Sequence, residues 1–150
     1  MMIMKAVKED AQSILVIQKV SYIREAELYN NYEIAPLTET LDQIKEDFQK
    51  KVILKFTIED KIIGSVRGHE KNGVCYVERL MVHPDAQKRG IGKQLMMELE
   101  KYFPTCARFD LYTGSLSFGN IRLYESIGYK SYKIEMIREN IEFVFMEKIN

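Results

Sequence analysis

The sequence predicts one mixed α/β (α+β) domain whose elements run β-α-α-β-β-β-α-β-α-β-β. Three observations carry this reading. The stretch from Val52 to Val82 is rich in β-branched residues and holds two tight-turn signals, at Asp60 and at Asn72-Gly73. From Ile91 to Phe103 the apolar residues Ile91, Leu95, Leu99 and Phe103 recur every fourth position, the spacing of an amphipathic helix. No internal repeat, low-complexity tract or Pro/Gly/Ser linker interrupts the 150 residues, so 1–150 reads as a single domain with enough chain to bury a core.

Each element has its own signal. Ile3 to Val7 predicts a short first strand. Asp10 is expected to cap a helix reaching about Leu28, with Ile14, Ile17, Val20 and Ile23 on its apolar face. Residues 29–36 break that period and read as a loop. Thr40 and Gln43 stand at capping-box spacing before a second helix with Leu41, Ile44 and Phe48 on one side. Val52 to Glu59 and Lys61 to Glu70 are strands joined at Asp60. Asn72-Gly73, both tolerant of positive φ, leads into a third strand, Val74 to Val82, which His83-Pro84 ends. After the helix at 91–103 come a strand from Arg108 to Thr113 and a short helix from Asn120 to Ile127, stopped by Gly128. Tyr129 to Arg138 and Ile141 to Lys148 predict a closing hairpin around Glu139-Asn140. Three consecutive antiparallel strands followed by a helical crossover make a mixed sheet.

Composition narrows the function. Lys+Arg and Asp+Glu both number 22, a zero net charge that argues against a nucleic-acid or membrane-surface binder. No apolar run approaches the ~20 residues of a membrane helix, and the first residues lack a signal-peptide pattern. Cys75 and Cys106 match neither a disulfide framework nor a zinc spacing and read as reduced core thiols, so the expectation is a cytoplasmic protein. His69 and His83 belong to no ligand cluster, and no metal is expected. Cys106 has no His-plus-acid arrangement that would make it a nucleophile.

The most informative segment is Val77 to Leu95, where a strand ends, a basic loop follows and a helix begins at two glycines. The first turn of a helix offers unpaired N–H groups and the positive end of the helix dipole, which suit an anion. Gly90 and Gly92 leave room for a phosphate against the backbone, and Lys88, Arg89 and Lys93 add charge. The segment is not a nucleotide P-loop, because Gln87 occupies the first glycine position and Gln94 the Ser/Thr position. It is not a dinucleotide fingerprint either, since Leu95 stands where the third glycine belongs. The alternative is that the glycines serve only a tight strand-to-helix connection.

Gln87-Lys88-Arg89-Gly90-Ile91-Gly92, following Leu80-Met81-Val82-His83-Pro84, resembles the coenzyme A pyrophosphate loop of the GNAT superfamily of N-acetyltransferases. Leu123-Tyr124-Glu125-Ser126-Ile127-Gly128-Tyr129 is similar to that family's C-terminal helix with its tyrosine and Gly-aromatic pair, and the element order matches over nearly the whole chain. The resemblance implies a mostly antiparallel sheet of six to seven strands flanked by about four helices, with a splayed parallel pair forming the cofactor cleft. It implies acetyl-CoA as acetyl donor and direct transfer to an amine in a ternary complex, without a metal. Leu80, Met81 and Val82 would hold the pantetheine arm, and an N–H near Met81 or Val82 would polarise the thioester carbonyl. The N–H groups of Gln87, Lys88, Arg89, Gly90, Ile91, Gly92 and Lys93 would bind the pyrophosphate.

Tyr124 matches the tyrosine that protonates or hydrogen-bonds the departing sulfur, against a reading as a core aromatic. Glu78 is the candidate general base, with a structural salt bridge as the competing reading and Tyr76 as a weaker alternative. Where relatives often carry a pantetheine-binding asparagine this chain has Ser117; Asn120 either replaces it or caps the helix. Tyr22, Tyr29, Tyr32, Glu25 and Glu33 fall in the segment that borders the acceptor in this family, and an acidic, aromatic pocket suits a cationic amine. The expected acceptor is a small-molecule amine. A protein or peptide amine and a non-catalytic acetyl-CoA-binding module are the alternatives. The C-terminal hairpin edge offers a surface for a homodimer.

Overall fold

The computed structural model describes residues 2–138 and 141–150. Among them are seven strands: β1 (Met2–Lys5), β2 (Val52–Ile58), β3 (Lys61–Lys71), β4 (Val74–Val82), β5 (Arg108–Gly114), β6 (Lys130–Arg138) and β7 (Ile141–Ile149). Five helices accompany them: α1 (Ala11–Tyr29), α2 (Ala35–Thr38), α3 (Leu41–Lys50), α4 (Ile91–Glu100) and α5 (Phe118–Ser126). The strands form one sheet in the order β1-β2-β3-β4-β5-β7-β6, and only β4 and β5 run parallel. The turn residues Glu139 and Asn140 lie outside the described residues.

Local chemistry accounts for most boundaries. Glu59 and Asp60 (φ 51° and 65°) and Asn72 and Gly73 (φ 52° and 78°) take the positive dihedrals a two-residue hairpin needs. Thr40 and Gln43 cap each other as expected, at 2.9 and 3.2 Å. Gly128 (φ 104°) ends α5 in a Schellman arrangement: its N–H reaches Glu125 O at 3.1 Å, and the Tyr129 N–H reaches Tyr124 O at 3.0 Å.

Several expectations are corrected. Asp10 precedes α1 but does not cap it, because a 3-10 turn at Lys8–Asp10 turns its carboxylate back to the Val7 N–H and to Lys55, both at 2.8 Å. Val20 and Ile23 are 40% and 41% exposed. Ile14 and Ile17 face inward as expected, and the stripe of α1 continues through Ala11, Leu15, Gln18 and Ala26, with Tyr22 and Glu25 half-buried beside it. A fifth, one-turn helix, α2, occupies the end of the expected loop, with Pro36 supplying a fixed φ in its first turn. The last helix starts at Phe118, two residues earlier than expected, so Asn120 lies inside its first turn and Ser117 at the N-cap position.

The sheet separates two cores. On one face α4 buries Ile91, Leu95, Met96 and Leu99 against Leu54, Val66, Cys75 and Phe109. Each fully buried leucine stabilises the fold by about 1.5–3 kcal/mol. Gly64 and Gly68 permit this close approach, since a Cβ on either would come within 3.1 Å of Leu95 or Leu99. On the other face α1 packs Ile14 and Ile17 against Ile53 and Met81. Cys75 and Cys106 are buried, free thiols, and burial pushes the Cys75 thiol up to about 12.

One irregularity positions everything that follows. Ser65 pairs with Met81 and Arg67 with Glu78, so two β4 residues, Arg79 and Leu80, oppose the single Val66. Arg79 takes φ 55°, and the bulge turns the consecutive side chains Glu78 and Arg79 toward the α1–α3 face. β4 and β5 pair only from Val74–Arg108 to Tyr76–Asp110. Beyond that point they part.

Candidate active site

The gap between β4 and β5 opens at one end into a groove of about 540 Å³. The start of α4 forms its far wall. His83 Nδ1 accepts the Asp85 N–H at 3.1 Å, which fixes the turn after β4, and Gln87 Nε2 donates back to Val82 O at 3.1 Å. Lys88 (φ 64°) and Gly90 (φ 79°) then swing the chain into the helix. The first helical bond joins the Gln94 N–H to Gly90 O at 3.0 Å, so the N–H groups of Ile91, Gly92 and Lys93 point out of the helix end. Gln87, Lys88, Gly90, Ile91, Gly92 and Lys93 all border the groove. Arg89 does not; its guanidinium leans on Asp85 O at 3.5 Å. The donor set and the open space at Gly90, where a Cβ would meet nothing within 4 Å, fit a pyrophosphate.

Leu80, Met81 and Val82 form the groove's floor. Gly64 pairs with Val82 and Ser65 with Met81, while the His83 N–H bonds Ile63 O at 2.7 Å. The alternation of an antiparallel ladder therefore turns the backbone groups of Met81 toward β3 and those of Val82 into the groove. Side chains reach the same open edge: Ser21 Oγ donates to Val82 O at 3.2 Å and Tyr22 Oη to Leu80 O at 2.9 Å. Of the expected pair, Val82 presents its N–H to the groove. Met81 gives its side chain to the α1 core.

Deeper in the gap is a cavity of about 140 Å³ walled by Tyr22, Tyr29, Ile34–Pro36, Glu78, Tyr112, Tyr124 and Phe143. Tyr124 enters it from α5 with its ring buried, and among the described residues its hydroxyl has no hydrogen-bond partner. Burial, and then the nearby Tyr22 and Glu25, push the Tyr124 phenol above its ordinary value, so it stays protonated. Burial likewise raises Tyr22, to about 12.

Glu78 also lines the cavity but is not free: it pairs directly with Lys51, which meets Asp47 at 3.4 Å, and lies 3.7 Å from His69 Nδ1. This is the structural salt bridge weighed against a catalytic role, with Lys51 as the partner. Ser117 and Asn120 turn their polar atoms to Glu25, with Ser117 Oγ donating at 2.6 Å and Asn120 Nδ2 at 3.3 Å. Tyr29 Oη shares a hydrogen bond with Ser117 Oγ at 2.8 Å and accepts the Leu116 N–H at 3.1 Å. Tyr32 and Glu33, expected beside the acceptor, border neither space. After Asn30 ends α1 in the left-handed region, the Glu33 N–H bonds Asn31 Oδ1 at 2.8 Å, and Tyr32 is 53% exposed.

The residues that hold the cavity's outer wall were not among the candidates. Arg67, 1% exposed, donates to Glu39 at 3.1 and 3.2 Å, to Asp47 at 3.0 Å and to Gln18 at 2.6 Å. Arg79 Nε joins Glu39 at 3.3 Å, and Gln18 Nε2 donates to Pro36 O at 2.9 Å. This network ties α2, and with it Ile34–Pro36, to the sheet. The one sequence signal was an arginine inside a β-branched strand between two glycines. Among the described residues no three His, Cys, Asp or Glu side chains group as a metal site, and no helix is long and apolar enough to cross a membrane.

The model of the acetyltransferase (GNAT) family matches residues 17–129, three-quarters of the chain. The chain belongs to the GNAT family. Its fold is shared with the ribosomal-protein-S18-alanine N-acetyltransferase from Escherichia coli, at a TM-score of 0.81 and 15% identity over 99% of this chain and 92% of that one. The paia N-acetyltransferase from Thermoplasma acidophilum, solved in complex with coenzyme A, superposes at 0.78 with 19% identity, covering 99% of this chain and 98% of that one. In sequence, this GNAT chain is 24% identical over 120 residues to the UPF0157 protein YqkA of Bacillus subtilis (strain 168). That match takes in 80% of the chain but only 34% of YqkA, so the chain spans about a third of that relative.

Proposed function

We propose that this GNAT chain transfers the acetyl group of acetyl-CoA to a primary amine, most suitably a small one, by direct transfer in a ternary complex. The observation that carries the reading is a pair of neighbouring spaces, groove and cavity, that share Tyr22, Glu25, Leu80 and Asn120 in their walls. Outward N–H groups of Ile91, Gly92 and Lys93 stand at one end, and the unpartnered Tyr124 hydroxyl at the other. The family and the coenzyme A complex of the Thermoplasma neighbour support the same donor.

In this reading the α4 N-terminus with Lys88 and Lys93 holds the pyrophosphate, and the open edge of β4 from Leu80 to Val82 aligns the pantetheine arm. Acetyl-CoA supplies the activated thioester. The Val82 N–H is oriented to steady its carbonyl oxygen. Tyr124, kept protonated by its burial, delivers a proton to the departing sulfur. The cavity beyond it, small, walled on one side by the start of α2 and lined by tyrosines and carboxylates, suits a compact cationic amine better than an extended peptide.

Thiol release from acetyl-CoA, followed in the presence and absence of a panel of primary amines, tests the proposal. Amine-dependent release supports it. Release no faster than without protein, from folded protein that binds acetyl-CoA, would leave a binding module in its place.

A further inference from the structure

We infer that Glu25, rather than Glu78, receives the acceptor's ammonium group and takes its first proton: among the described residues it is the one carboxylate that borders both the groove and the cavity. This rests on the transferase reading above and adds a catalytic residue to it.

The two carboxylates differ in what holds them. Glu78 is paired with Lys51, with His69 nearby, so its charge is already met by a cation of this chain before an acceptor arrives. Glu25 is held instead by neutral donors, Ser117 Oγ at 2.6 Å on one oxygen and Asn120 Nδ2 at 3.3 Å on the other. Those bonds fix the carboxylate without neutralising it, leaving its charge for an incoming ammonium. Thr113 Oγ1, 3.5 Å from Asn120 Nδ2, braces the amide from β5.

The surroundings define the acceptor. Tyr22 and Tyr29 face Glu25 from α1, Tyr124 from α5, and Arg79 and Glu78 from β4 across the cavity, while Arg24, Lys88 and Lys93 border the groove side. The aromatic walls with one unneutralised carboxylate select a primary ammonium on a small or flat substituent. Tyr124 lies within electrostatic reach of Glu25, which places a proton acceptor and a proton donor at the same gap.

The step balances. The ammonium gives one proton to Glu25, and the neutral amine so formed attacks the thioester carbonyl carbon; the C–N bond forms and the C–S bond breaks. Tyr124 delivers its proton to the departing sulfur, and the second nitrogen proton, shed as the amide forms, returns to the Tyr124 phenolate through water. The proton on Glu25 passes to water.

The test compares wild type, Glu25→Gln, Glu25→Asp and Glu78→Gln. Acetyl-CoA affinity is measured by calorimetry. Thiol release is measured with n-butylamine, tryptamine, spermidine and alaninamide from about pH 6 to about pH 10. Glu25→Gln is expected to bind acetyl-CoA within about 3-fold of wild type and to lose about 100-fold or more in kcat. Its residual rate should climb with pH as free amine accumulates. Glu25→Asp should keep the wild-type pH limb at reduced kcat, and Glu78→Gln should lose less than Glu25→Gln without changing the shape of the profile. A Glu25→Gln enzyme with wild-type kcat and profile would overturn the inference. So would a larger loss in Glu78→Gln, or a wild type that binds acetyl-CoA and uses none of the four amines. Failure of wild type to bind acetyl-CoA would instead remove the transferase reading itself.

Discussion

A Cβ on Gly114 would overlap the hydroxyl of Tyr29, so the last turn of α1 rests directly on the end of β5. The same hydroxyl bonds Ser117 Oγ at 2.8 Å and the Leu116 N–H at 3.1 Å. The contact closes one end of the cavity and fixes the turn of α1 that carries Glu25.

Gly114→Ala should therefore push α1 off β5 and destabilise the fold by about 1–3 kcal/mol, the usual range for overpacking. In a Tyr29→Ala background the same substitution should cost less than about 0.5 kcal/mol, because the clash is gone. Urea unfolding of the four proteins measures the coupling. Equal costs in both backgrounds would mean that Tyr29 does not hold this position.

At Gly92 a Cβ would meet Leu123, Leu80 and Val82 at 3.4, 3.7 and 3.8 Å, ordinary contact distances, so a larger side chain there extends over the groove floor. Gly92→Leu should keep the melting temperature or raise it, since Leu favours a helix over Gly by about 0.8 kcal/mol. It should weaken acetyl-CoA binding by about 10-fold or more, equivalent to about 1.4 kcal/mol. Calorimetry alongside a thermal melt separates the two effects, and unchanged affinity would remove the phosphate-cradle argument.

Tyr124→Phe deletes a hydroxyl that has no partner among the described residues, so the fold should lose less than about 0.5 kcal/mol. Acetyl-CoA affinity should stay within about 3-fold while kcat falls by about 100-fold. Wild-type turnover in the variant would return Tyr124 to a core aromatic.

Glu39 links the wall of the cavity to acid stability. Burial works to raise its pKa, but Arg67, the Gln18 hydrogen bond and Arg79 outweigh it and hold the carboxyl below the ordinary 4.5. A depressed folded pKa gives stability that is complete above the unfolded value and is lost as pH falls through the folded one. Glu39→Gln should cost roughly 1.5–3 kcal/mol near neutral pH, as for hydrogen bonds to charged groups. The gap to wild type should begin to close as pH drops below 4.5, where the unfolded carboxyl takes up its proton, and should be gone once pH passes below the depressed folded value. A pH-independent gap in urea unfolding would contradict this account.

The strands, the hairpin turns and the α4 glycine loop were legible because each depends on short-range chemistry: period, positive φ, capping. The inward face of α1 was not. Its stripe includes Gln18, buried for the network, and is flanked by the half-buried Glu25 at the cavity, so an apolar count selected Val20 and Ile23 on a neighbouring face. Long-range pairings were equally silent. Nothing local joins Lys51 to Glu78, 27 residues apart, or Ser117 to Glu25, 92 apart, and these pairings set the electrostatic difference between the two carboxylates. The bulge at Arg79 also left no mark, because a non-glycine residue holds its positive φ.

The most direct test of the central claim is a calorimetric titration of acetyl-CoA into the folded protein, with ATP and NAD as controls. The account predicts saturable binding of acetyl-CoA that weakens as salt rises, because part of it comes from Lys88, Lys93 and the α4 N-terminus, with no comparable binding of the controls. A silent acetyl-CoA titration, or equal binding of ATP, would contradict it.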